Sequence, residues 1–497
     1  MVLVCGSALT VAFAARFLHG AFGGRPSEKA ARAVRSPEPG FVVPVAVLSA
    51  AGLVLGVAYP GTAALTTVYA DAYPPGADGP YELSLWHGFT PVLGLSALSL
   101  VVGVLIHALL RRGAVPARLP RLPDAQRAYD RVIEGVDRLA VTVTRHTQVG
   151  SLPVYPTVLL ATVVAVPGAA FVAAAPSLGS PPLWRYSLAL LLLAVLGIKA
   201  AIVPLHFWLP DSYPTAPAPI TAVFAALLTK VAVYALLRTQ TLLFPRSGVW
   251  TLLACVAIAT MIVGILGALA QDDINRLLSF TLVSHIGFML FGLALFDTTG
   301  LTGTALYMVH HIVVQAALFL AAALAVRHTG TTGLDRMAQR PVPAPLVAVL
   351  FAVPALSLAG IPPFSGFVAK LTLLRAGAWQ GGTAAYALAV TALLTSLLTL
   401  YAMTRIWTRA FMRQKPYPEH RDAPPPGTPV SGAARRPQRR AVRYGARLMT
   451  AATAVMVMTG VAVAVFAGPL ARVGERAAQE LLDPRDYRSA VMPGEDR

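Results

Sequence analysis

Charged residues are scarce in this chain of 497 residues, of which they make up only 12%. Soluble globular proteins contain about 25%, so an ordinary soluble domain is excluded. Apolar residues make up 56% of the chain and recur in long runs from residue 1 to about residue 468. A run of about 20 apolar residues is long enough to cross a bilayer as a helix. The sequence therefore predicts an all-α polytopic membrane protein.

Cysteine is almost absent, since only Cys5 and Cys255 occur and both lie inside apolar runs. This pattern excludes a disulfide framework and a thiolate-bound zinc or iron–sulfur site. No nucleotide-binding fingerprint, metal motif or arrangement of nucleophile and base appears either. We therefore expect no cofactor and no metal, and we expect a transporter subunit rather than an enzyme.

The apolar runs number about twelve, so the sequence predicts about twelve transmembrane helices. They lie at 2–22, 41–59, 88–110, 153–174, 184–203, 218–237, 248–270, 276–296, 302–326, 343–378, 384–406 and 447–468.

The formal charge of +18 would suggest a nucleic-acid partner in a soluble protein. Here most arginines lie in connections between apolar runs, among them a loop at 111–150 and a basic, proline-rich loop at 416–446. Basic connections are typical of cytoplasmic loops. The distribution of charge therefore indicates the topology, with both termini outside. We expect a multi-pass protein of the cell inner (plasma) membrane. We expect it to contact lipid and to bind no nucleic acid.

Two stretches interrupt the helical pattern inside apolar sequence. Residues 204–219 contain five prolines in sixteen residues, including Pro204 and Pro210, and residues 360–366 contain Pro362 and Pro363. Proline removes a helical hydrogen bond and kinks or ends a helix. Broken backbone inside a membrane is tolerated where protein or a water-filled cavity satisfies it, so two discontinuous helices indicate a transport path. Short turns outside the membrane are the alternative.

Lysine is the rarer basic residue, with five lysines against 35 arginines. Three of the five, Lys199, Lys230 and Lys370, lie in apolar runs, where a charge costs at least ~2.5–3.5 kcal/mol. A buried lysine can release its proton, whereas the guanidinium of arginine stays charged. These lysines therefore predict a proton relay, although a lysine near a helix end can also extend to the membrane surface.

Histidines accompany the three lysines and exchange protons near neutral pH. We predict His285, His310 and His311 as relay members, and three further residues as possible relay or gating residues: His206, Asp211 and Gln315. Acidic residues between 151 and 470 lie at helix ends, breaks or connections rather than deep in apolar runs. Because sodium prefers hard oxygen ligands such as carboxylates, this pattern argues against a sodium site within the chain.

The sequence from about 184 to 415 closely resembles the antiporter-like membrane subunits shared by Mrp-type multisubunit cation/proton antiporters and respiratory complex I, and most of all the D-type subunit of the Mrp system. The motifs that carry the resemblance are Gly197-Ile-Lys199 through Pro217, Leu-Leu-Thr-Lys230, Asp273 through Phe288, Tyr307-Met-Val-His310-His311 and Leu358 through Lys370. The resemblance implies that Lys199 and Lys370 belong to the two broken helices, that Lys230 lies on the next helix after the first break, and that all three line a hydrated proton path.

Residues 1–165 resemble the late part of the Mrp A-type subunit instead, through the motifs Leu83-Ser-Leu-Trp86-His87-Gly88-Phe and Gln148-Val-Gly150-Ser-Leu-Pro-Val-Tyr155. The predicted organisation is an A-type transmembrane region at 1–165, an antiporter-like core at 166–415, the basic loop at 416–446, and a final transmembrane helix and tail at 447–497. By the resemblance, the chain lacks the helices that precede Lys199 in a complete D-type subunit, including the glutamate that pairs with this lysine.

Three functions remain open from the sequence. The first is a subunit of a monovalent cation (Na⁺)/proton antiporter, partnered by other subunits of a hetero-oligomeric complex and transporting protons and Na⁺. The second is a proton-translocating membrane subunit of an NADH:quinone oxidoreductase. The third is a structural or assembly subunit that cannot transport, which the missing glutamate favours. The A-type region favours the first.

Overall fold

The computed structural model describes residues 2–22, 39–58, 60–63, 88–111, 125–150, 154–174, 183–242, 244, 250–339, 342, 344–412, 438–483 and 485. Within these residues the regular structure is helical, apart from one isolated bridge between Asp273 and Gly333. The described residues fall into two units, Met1–Arg131 and Val132–Arg497.

The first unit contains three long apolar helices, α1 (Val2–Phe22), α2 (Pro39–Val57) and α3 (Pro91–Arg111). Helices α1 and α3 pack closely because Gly103 of α3 has no side chain. A Cβ atom at this position would lie 2.6 Å from the Ala8 carbonyl oxygen of α1. Small residues allow this kind of close backbone approach between membrane helices.

The second unit contains most of the helices. In chain order, starting with one that begins in the first unit, they are α4 (Ala125–Thr147), α5 (Val154–Ala174), α6 (Leu183–Ala200), α7 (Trp208–Ser212), α8 (Ala218–Leu242), α9 (Trp250–Leu269), α10 (Ile274–Leu295), α11 (Thr298–Thr329), α12 (Leu334–Gln339), α13 (Pro345–Ala359), α14 (Ser365–Gln380), α15 (Thr383–Ala410), α16 (Gln438–Val465) and α17 (Ala467–Leu482).

Helix α10 lies at the centre of the second unit and is almost completely buried. It packs against α9, α11, α14 and α15. Asp273 caps its first turn by accepting hydrogen bonds from the backbone N–H groups of Asn275 and Arg276 at 2.9 and 3.0 Å. Asp297 caps α11 in the same way through Gly300. Acidic caps satisfy N–H groups that have no partner inside the helix, so they determine where these two central helices begin.

Both predicted helix breaks are present. At the first break, α6 ends at Ala200, residues 201–207 form turns, and the chain resumes as the short helix α7. At the second break, α13 ends at Ala359, Gly360 adopts a left-handed φ of 91°, and α14 begins at Ser365. Glycine enters this backbone region at little cost. The second break therefore adopts its left-handed residue without strain.

The prediction of an all-α polytopic membrane fold is confirmed. Within the described part of the chain, seven helices are long and apolar enough to cross a membrane, and five shorter apolar helices accompany them. Much of the predicted 111–150 loop forms α4, whose Val136, Ala140 and Val143 pack against the core at helical spacing. Most of the predicted loop at 416–446 lies outside the described residues.

Candidate functional site

A group of protonatable side chains is buried in the second unit. Lys230 of α8, His285 of α10, His310 and His311 of α11, and Lys370 of α14 are each at most 5% exposed. With Tyr307 of α11, which is fully buried beside them, we refer to these six residues as the buried chain. No Asp or Glu is buried among the side chains that the structure describes. The charges that the buried chain can carry are therefore positive, with no anionic partner of its own.

Lys230 follows an irregular turn of α8. Residues Phe224–Leu228 form a π-helical turn, in which the usual hydrogen bonds to the fourth preceding residue are displaced. The Lys230 ammonium donates a short hydrogen bond to the Ala225 carbonyl within this turn. The neighbouring Thr229 hydroxyl is buried and has no hydrogen-bond partner among the described residues. The π turn thus provides a backbone acceptor for a lysine inside the membrane.

His285 connects three helices. Its Nδ1 lies 2.6 Å from the Tyr307 hydroxyl of α11, and its Nε2 lies 3.4 Å from the Thr399 hydroxyl of α15. The His311 ring stacks on the His285 ring with centroids 5.4 Å apart. Because each ring nitrogen has a hydroxyl within reach, His285 can accept a proton at one nitrogen and release one at the other.

His310 and His311 are adjacent on α11 but have different neighbours. His310 Nδ1 lies 2.8 Å from the hydroxyl of Ser365, the first residue of α14. A second hydroxyl, that of Ser357, lies 3.3 Å from Ser365. Neither His310 Nε2 nor either nitrogen of His311 has a hydrogen-bond partner among the described residues. Buried polar atoms normally have partners, and ordered water supplies them where protein does not.

Lys370 is held by the second break. Its ammonium donates to the carbonyls of Leu358 at 2.9 Å and Ala359 at 3.0 Å, at the end of α13. It also lies 4.9 Å from the centroid of the Phe288 ring, which contributes a cation–π attraction. A Cβ atom on Gly360 would lie 2.9 Å from Lys370 Cδ. The break therefore both frees carbonyl oxygens and leaves room for the lysine.

The first break carries two of the predicted relay or gating residues, His206 and Asp211, outside the buried chain. His206 is 1% exposed, and neither of its ring nitrogens has a partner among the described residues. Asp211, in the short helix α7 after Pro210, accepts a 3.0 Å ion-pair hydrogen bond from Arg276 of α10. Both members of this pair are partly exposed, so Asp211 lies at the surface of the unit, near the break that begins around Pro204.

Lys199 and Gln315 have opposite surroundings. Lys199, in the last turn of α6, is exposed, and its ammonium makes no hydrogen bond or ion pair with another described residue. Gln315 is fully buried one helical turn beyond His311, where its Nε2 donates to the Leu278 carbonyl at 2.9 Å and its Oε1 has no described partner. The structure therefore brings Gln315 next to the buried chain and leaves Lys199 apart from it.

A cavity of ≈ 190 Å³ opens between the first break, α8, the start of α10 and the end of α11. Thr221, Asn275, Phe319 and Arg327 contribute to its wall, and we refer to it as the vestibule. Its volume suits several water molecules, which the side chains of Thr221, Asn275 and Arg327 can bind within an otherwise mainly apolar wall. Phe319, which is 2% exposed, lies one helical turn from Gln315 on α11. The vestibule wall therefore reaches within one helical turn of Gln315 on α11.

Sequence reasoning missed the hydroxyl groups of the site. Tyr307 lies in one of the motifs that carry the family resemblance. Nothing in the sequence pointed to Thr399, Ser357 or Ser365 as site residues, because single hydroxyl residues are common in apolar helices. Thr399 and Ser365 are recognisable only through their contacts with His285 and His310, and Ser357 only through its contact with Ser365. Among the described residues, no group of three or more His, Cys, Asp or Glu side chains lies close enough together to bind a metal ion.

Comparison with known proteins places this site in a family. Residues 179–399 match the family model described as NADH:quinone oxidoreductase/Mrp antiporter, transmembrane. The D-type subunit of the Na⁺/H⁺ antiporter of Alkalihalophilus pseudofirmus is 42% identical over 234 residues, which are 47% of each chain. Its counterpart in Bacillus subtilis is 38% identical over 238 residues, 47% of this chain and 48% of the relative. The chain thus spans about half the length of the curated relatives it matches.

A solved structure extends the similarity. A chain in the structure of the Mrp complex from Dietzia sp. DQ12-45-1b matches with a TM-score of 0.53 and 32% identity, over 79% of this chain and 76% of that one. The predicted resemblance to Mrp-type large subunits is confirmed. The chain therefore belongs to the NADH:quinone oxidoreductase/Mrp antiporter family of transmembrane proteins.

Proposed function

We propose that this chain is a subunit of a multisubunit monovalent cation (Na⁺)/proton antiporter and conducts protons through the buried chain. The proton path belongs to the antiporter-like core at 166–415. In the sequence, the core is preceded by the A-type region at 1–165. It is followed by the basic loop at 416–446 and then by the final helix and tail at 447–497. The chain is part of a transporter and catalyses no covalent chemistry alone.

One observation carries this proposal: two lysines and three histidines are buried together in membrane helices with no buried carboxylate among the described residues. Each lysine charge costs about 2.5–3.5 kcal/mol at the centre of a membrane helix. A group with a purely structural role could be apolar and avoid this cost. A lysine that binds and releases a proton must be polar, so conduction of protons accounts for the cost.

The contacts support one order of transfer. His311 stacks on His285, His285 bonds to the Tyr307 hydroxyl, and the Tyr307 ring lies against His310 with centroids 5.6 Å apart. The two lysines are the outer members, with Lys230 before His311 and Lys370 after His310. Water bound at the unpartnered ring nitrogens completes the steps that direct contacts leave open.

The vestibule is the entrance to this path. Its wall includes Phe319, and one turn earlier on α11 the Oε1 of Gln315 can accept a hydrogen bond from a water molecule. Thr221, also in the wall, lies on α8 close to the π turn that holds Lys230. Movement of the Phe319 ring therefore controls contact between water and the buried chain, with Gln315 as a gating residue.

Lys199 and the pair at the first break have distinct roles. Lys199 is the lysine of the first broken helix and exchanges its proton with the path when its charge is compensated by a carboxylate from a neighbouring subunit. That compensation is needed because a lysine in an apolar helix requires a partner, and none lies nearby among the described residues. His206 and Asp211 are relay or gating residues at the same break.

The relatives support a proposal for the partners and the location. The relatives in two bacteria are named as parts of a Na⁺/H⁺ antiporter, and the matching solved chain is part of an Mrp complex. We therefore assign this chain other subunits of such a complex as partners, protons and Na⁺ as the transported ions, and the cell inner (plasma) membrane as its location. The sodium ion binds outside the buried chain, because none of the six residues of the buried chain carries a carboxylate.

The test is the decay of a preformed pH gradient in inside-out membrane vesicles that contain the whole complex. Addition of Na⁺, and separately of K⁺, should trigger the decay. Lys230→Met and Lys230→Arg should both abolish it, since arginine keeps the charge but does not release a proton. Lys29→Met, in an arginine-rich connection between apolar runs, is the matched control. In vesicles with this variant the pH gradient should decay at the parental rate.

The outcomes distinguish three functions. Cation-triggered decay that depends on Lys230 supports the antiporter. No decay with either cation, together with gradient formation driven by NADH, would assign the chain to an NADH:quinone oxidoreductase. Neither activity, in a complex that assembles normally, would indicate a structural or assembly subunit, which the exposed position of Lys199 favours.

A further inference from the structure

The motif that begins at Gln148 and ends at Tyr155 has no role in the proton path described so far. Of its described residues, 148–150 follow α4 and 154–155 are the first two residues of α5. Gly150 adopts a left-handed φ of 69°, and its N–H donates to the Tyr155 hydroxyl at 2.9 Å. The turn therefore holds the tyrosine in a defined position. We refer to Gln148, Gly150 and Tyr155 as the clasp.

The clasp contacts the first break at several points. The Tyr155 ring stacks on Phe207 with centroids 4.3 Å apart and planes 12° from parallel. Its hydroxyl donates to Asp211 Oδ2 at 3.4 Å. Gln148 Nε2 donates to the Phe207 carbonyl at 3.4 Å. The residue immediately after His206 is thus held by both its ring and its backbone.

Asp211 is held from two sides. Arg276 of α10 donates to Oδ1 at 3.0 Å, while Tyr155 of α5 approaches Oδ2. The hydroxyl, the carboxylate and the guanidinium therefore join three helices at the surface of the unit. Arg276 is also one turn from Phe280, whose ring lies 6.5 Å from that of His206.

His206 directly precedes Phe207 in the turn that the clasp holds. It is 1% exposed although it lies in an irregular turn, and both its ring nitrogens lack a described partner. An imidazole with two unpartnered nitrogens is a ready acceptor and donor for water. The neighbouring stack of Tyr155 on Phe207 is a packed aromatic contact that water cannot cross without displacing a ring.

We propose that Tyr155 is a positioning residue that orients Asp211 through its hydroxyl and closes the first break over His206 through its ring. The inference rests on the proposed function, because it concerns the access of protons to the same path. It assigns the clasp, which belongs to the A-type region, a direct role in the antiporter-like core. The ring and the hydroxyl have separable effects.

Four variants of the whole complex in inside-out vesicles test the two effects: Tyr155→Phe, Tyr155→Ala, Asp211→Asn and the double variant Tyr155→Phe/Asp211→Asn. Tyr386→Ala, an exposed tyrosine near the start of α15, is the matched control. The readouts are the decay of the pH gradient before cation addition and the cation-triggered rate.

Tyr155→Ala should raise the decay before cation addition severalfold, because water then reaches His206. Tyr155→Phe should restore the low decay, since it keeps the stack, but its cation-triggered rate should be severalfold lower than that of the parent. In the Asp211→Asn background, Tyr155→Phe should have no further effect, because residues that act through one interaction are not additive. The difference between phenylalanine and alanine at this position separates the effect of the ring from that of the hydroxyl.

Two results would overturn the inference: unchanged decay in Tyr155→Ala, or an equal effect of Tyr155→Phe in both backgrounds. If Tyr155→Ala fails to assemble, the comparison of Tyr155→Phe in the two backgrounds decides alone. The parent complex and Lys230→Met are measured in the same vesicle preparations. Lysine-dependent antiport in the parent with no effect of Tyr155 refutes the clasp only, whereas absence of antiport in the parent refutes the proposed function.

Discussion

Replacing Lys370 with methionine should abolish antiport while leaving the complex assembled. The substitution keeps the length of the side chain but removes the ammonium. The Leu358 and Ala359 carbonyls, which accept from it at 2.9 and 3.0 Å, then lose their donor. Each unsatisfied carbonyl costs about 1–3 kcal/mol, whereas removal of a buried charge returns about 2.5–3.5 kcal/mol. The contributions nearly cancel, so the stability should change little.

Transport should be lost although stability is almost unchanged. No other described lysine lies at the second break to bind and release the proton in place of Lys370. Lys370→Arg is the matched variant, since it keeps a charge that can bond to the same carbonyls but does not release a proton. We expect both variants to reach the membrane in amounts close to the parent and neither to show cation-triggered decay of the pH gradient. Assembly is measured by size-exclusion chromatography of the solubilised complex, and transport by a pH-sensitive dye in vesicles.

The reasoning would be refuted if either Lys370 variant supported antiport at the parental rate. A loss of assembly in Lys370→Met with normal assembly in Lys370→Arg would instead assign the ammonium a structural role at the break. The cation–π contact with Phe288 contributes about 0.5–2 kcal/mol and is kept by arginine. The two variants therefore separate charge from proton release.

Three further predictions follow from the packing of the site. Phe319→Leu makes the side chain at the vestibule wall smaller and should increase the decay of the pH gradient before cation addition. Phe291→Leu, at an equally buried position outside the vestibule wall, should not increase it. Equal decay in the two variants would show that Phe319 is not a gate. Tyr307→Phe removes the 2.6 Å contact with the histidine of α10. It should lower the antiport rate about two- to tenfold, for a loss of ~0.5–1.5 kcal/mol, and an unchanged rate would remove this hydroxyl from the path. Gly366→Ala would place a Cβ atom against a carbonyl of α13 and should lower the thermal stability of the purified complex by about 1–3 kcal/mol. Gly460→Ala, with 3.7 Å to its nearest neighbour, should leave that stability unchanged.

The helices and their two interruptions could be predicted from the sequence because both depend on local properties. The length of an apolar run determines whether a helix can cross the bilayer, and proline breaks a helix wherever it lies. The run at 343–378 illustrates both effects, since it divides into α13 and α14 at the predicted residues. The π turn before Lys230 had no such signal, because the sequence Phe224–Leu228 is ordinary for an α-helix.

The composition of the site could be predicted only in part. Buried lysines and histidines stand out because charge is expensive in an apolar run, so Lys230 and Lys370 were identifiable from their positions alone. Lys199 satisfies the same criterion yet is exposed in the structure and lies apart from the buried chain. Periodicity alone did not show this, since the face that a residue presents depends on which helices surround it.

The sequence by itself determined that this protein is a bundle of apolar helices, where two of them break, and which side chains can carry a proton. These properties belong to single residues and short segments. The tertiary structure decided which of those side chains meet. His310 and His311 are neighbours in the chain, yet one bonds to Ser365 of α14 and the other stacks on His285 of α10. Their directions differ by one residue of helical rotation, and only the packing of α10, α11 and α14 determines what each direction reaches.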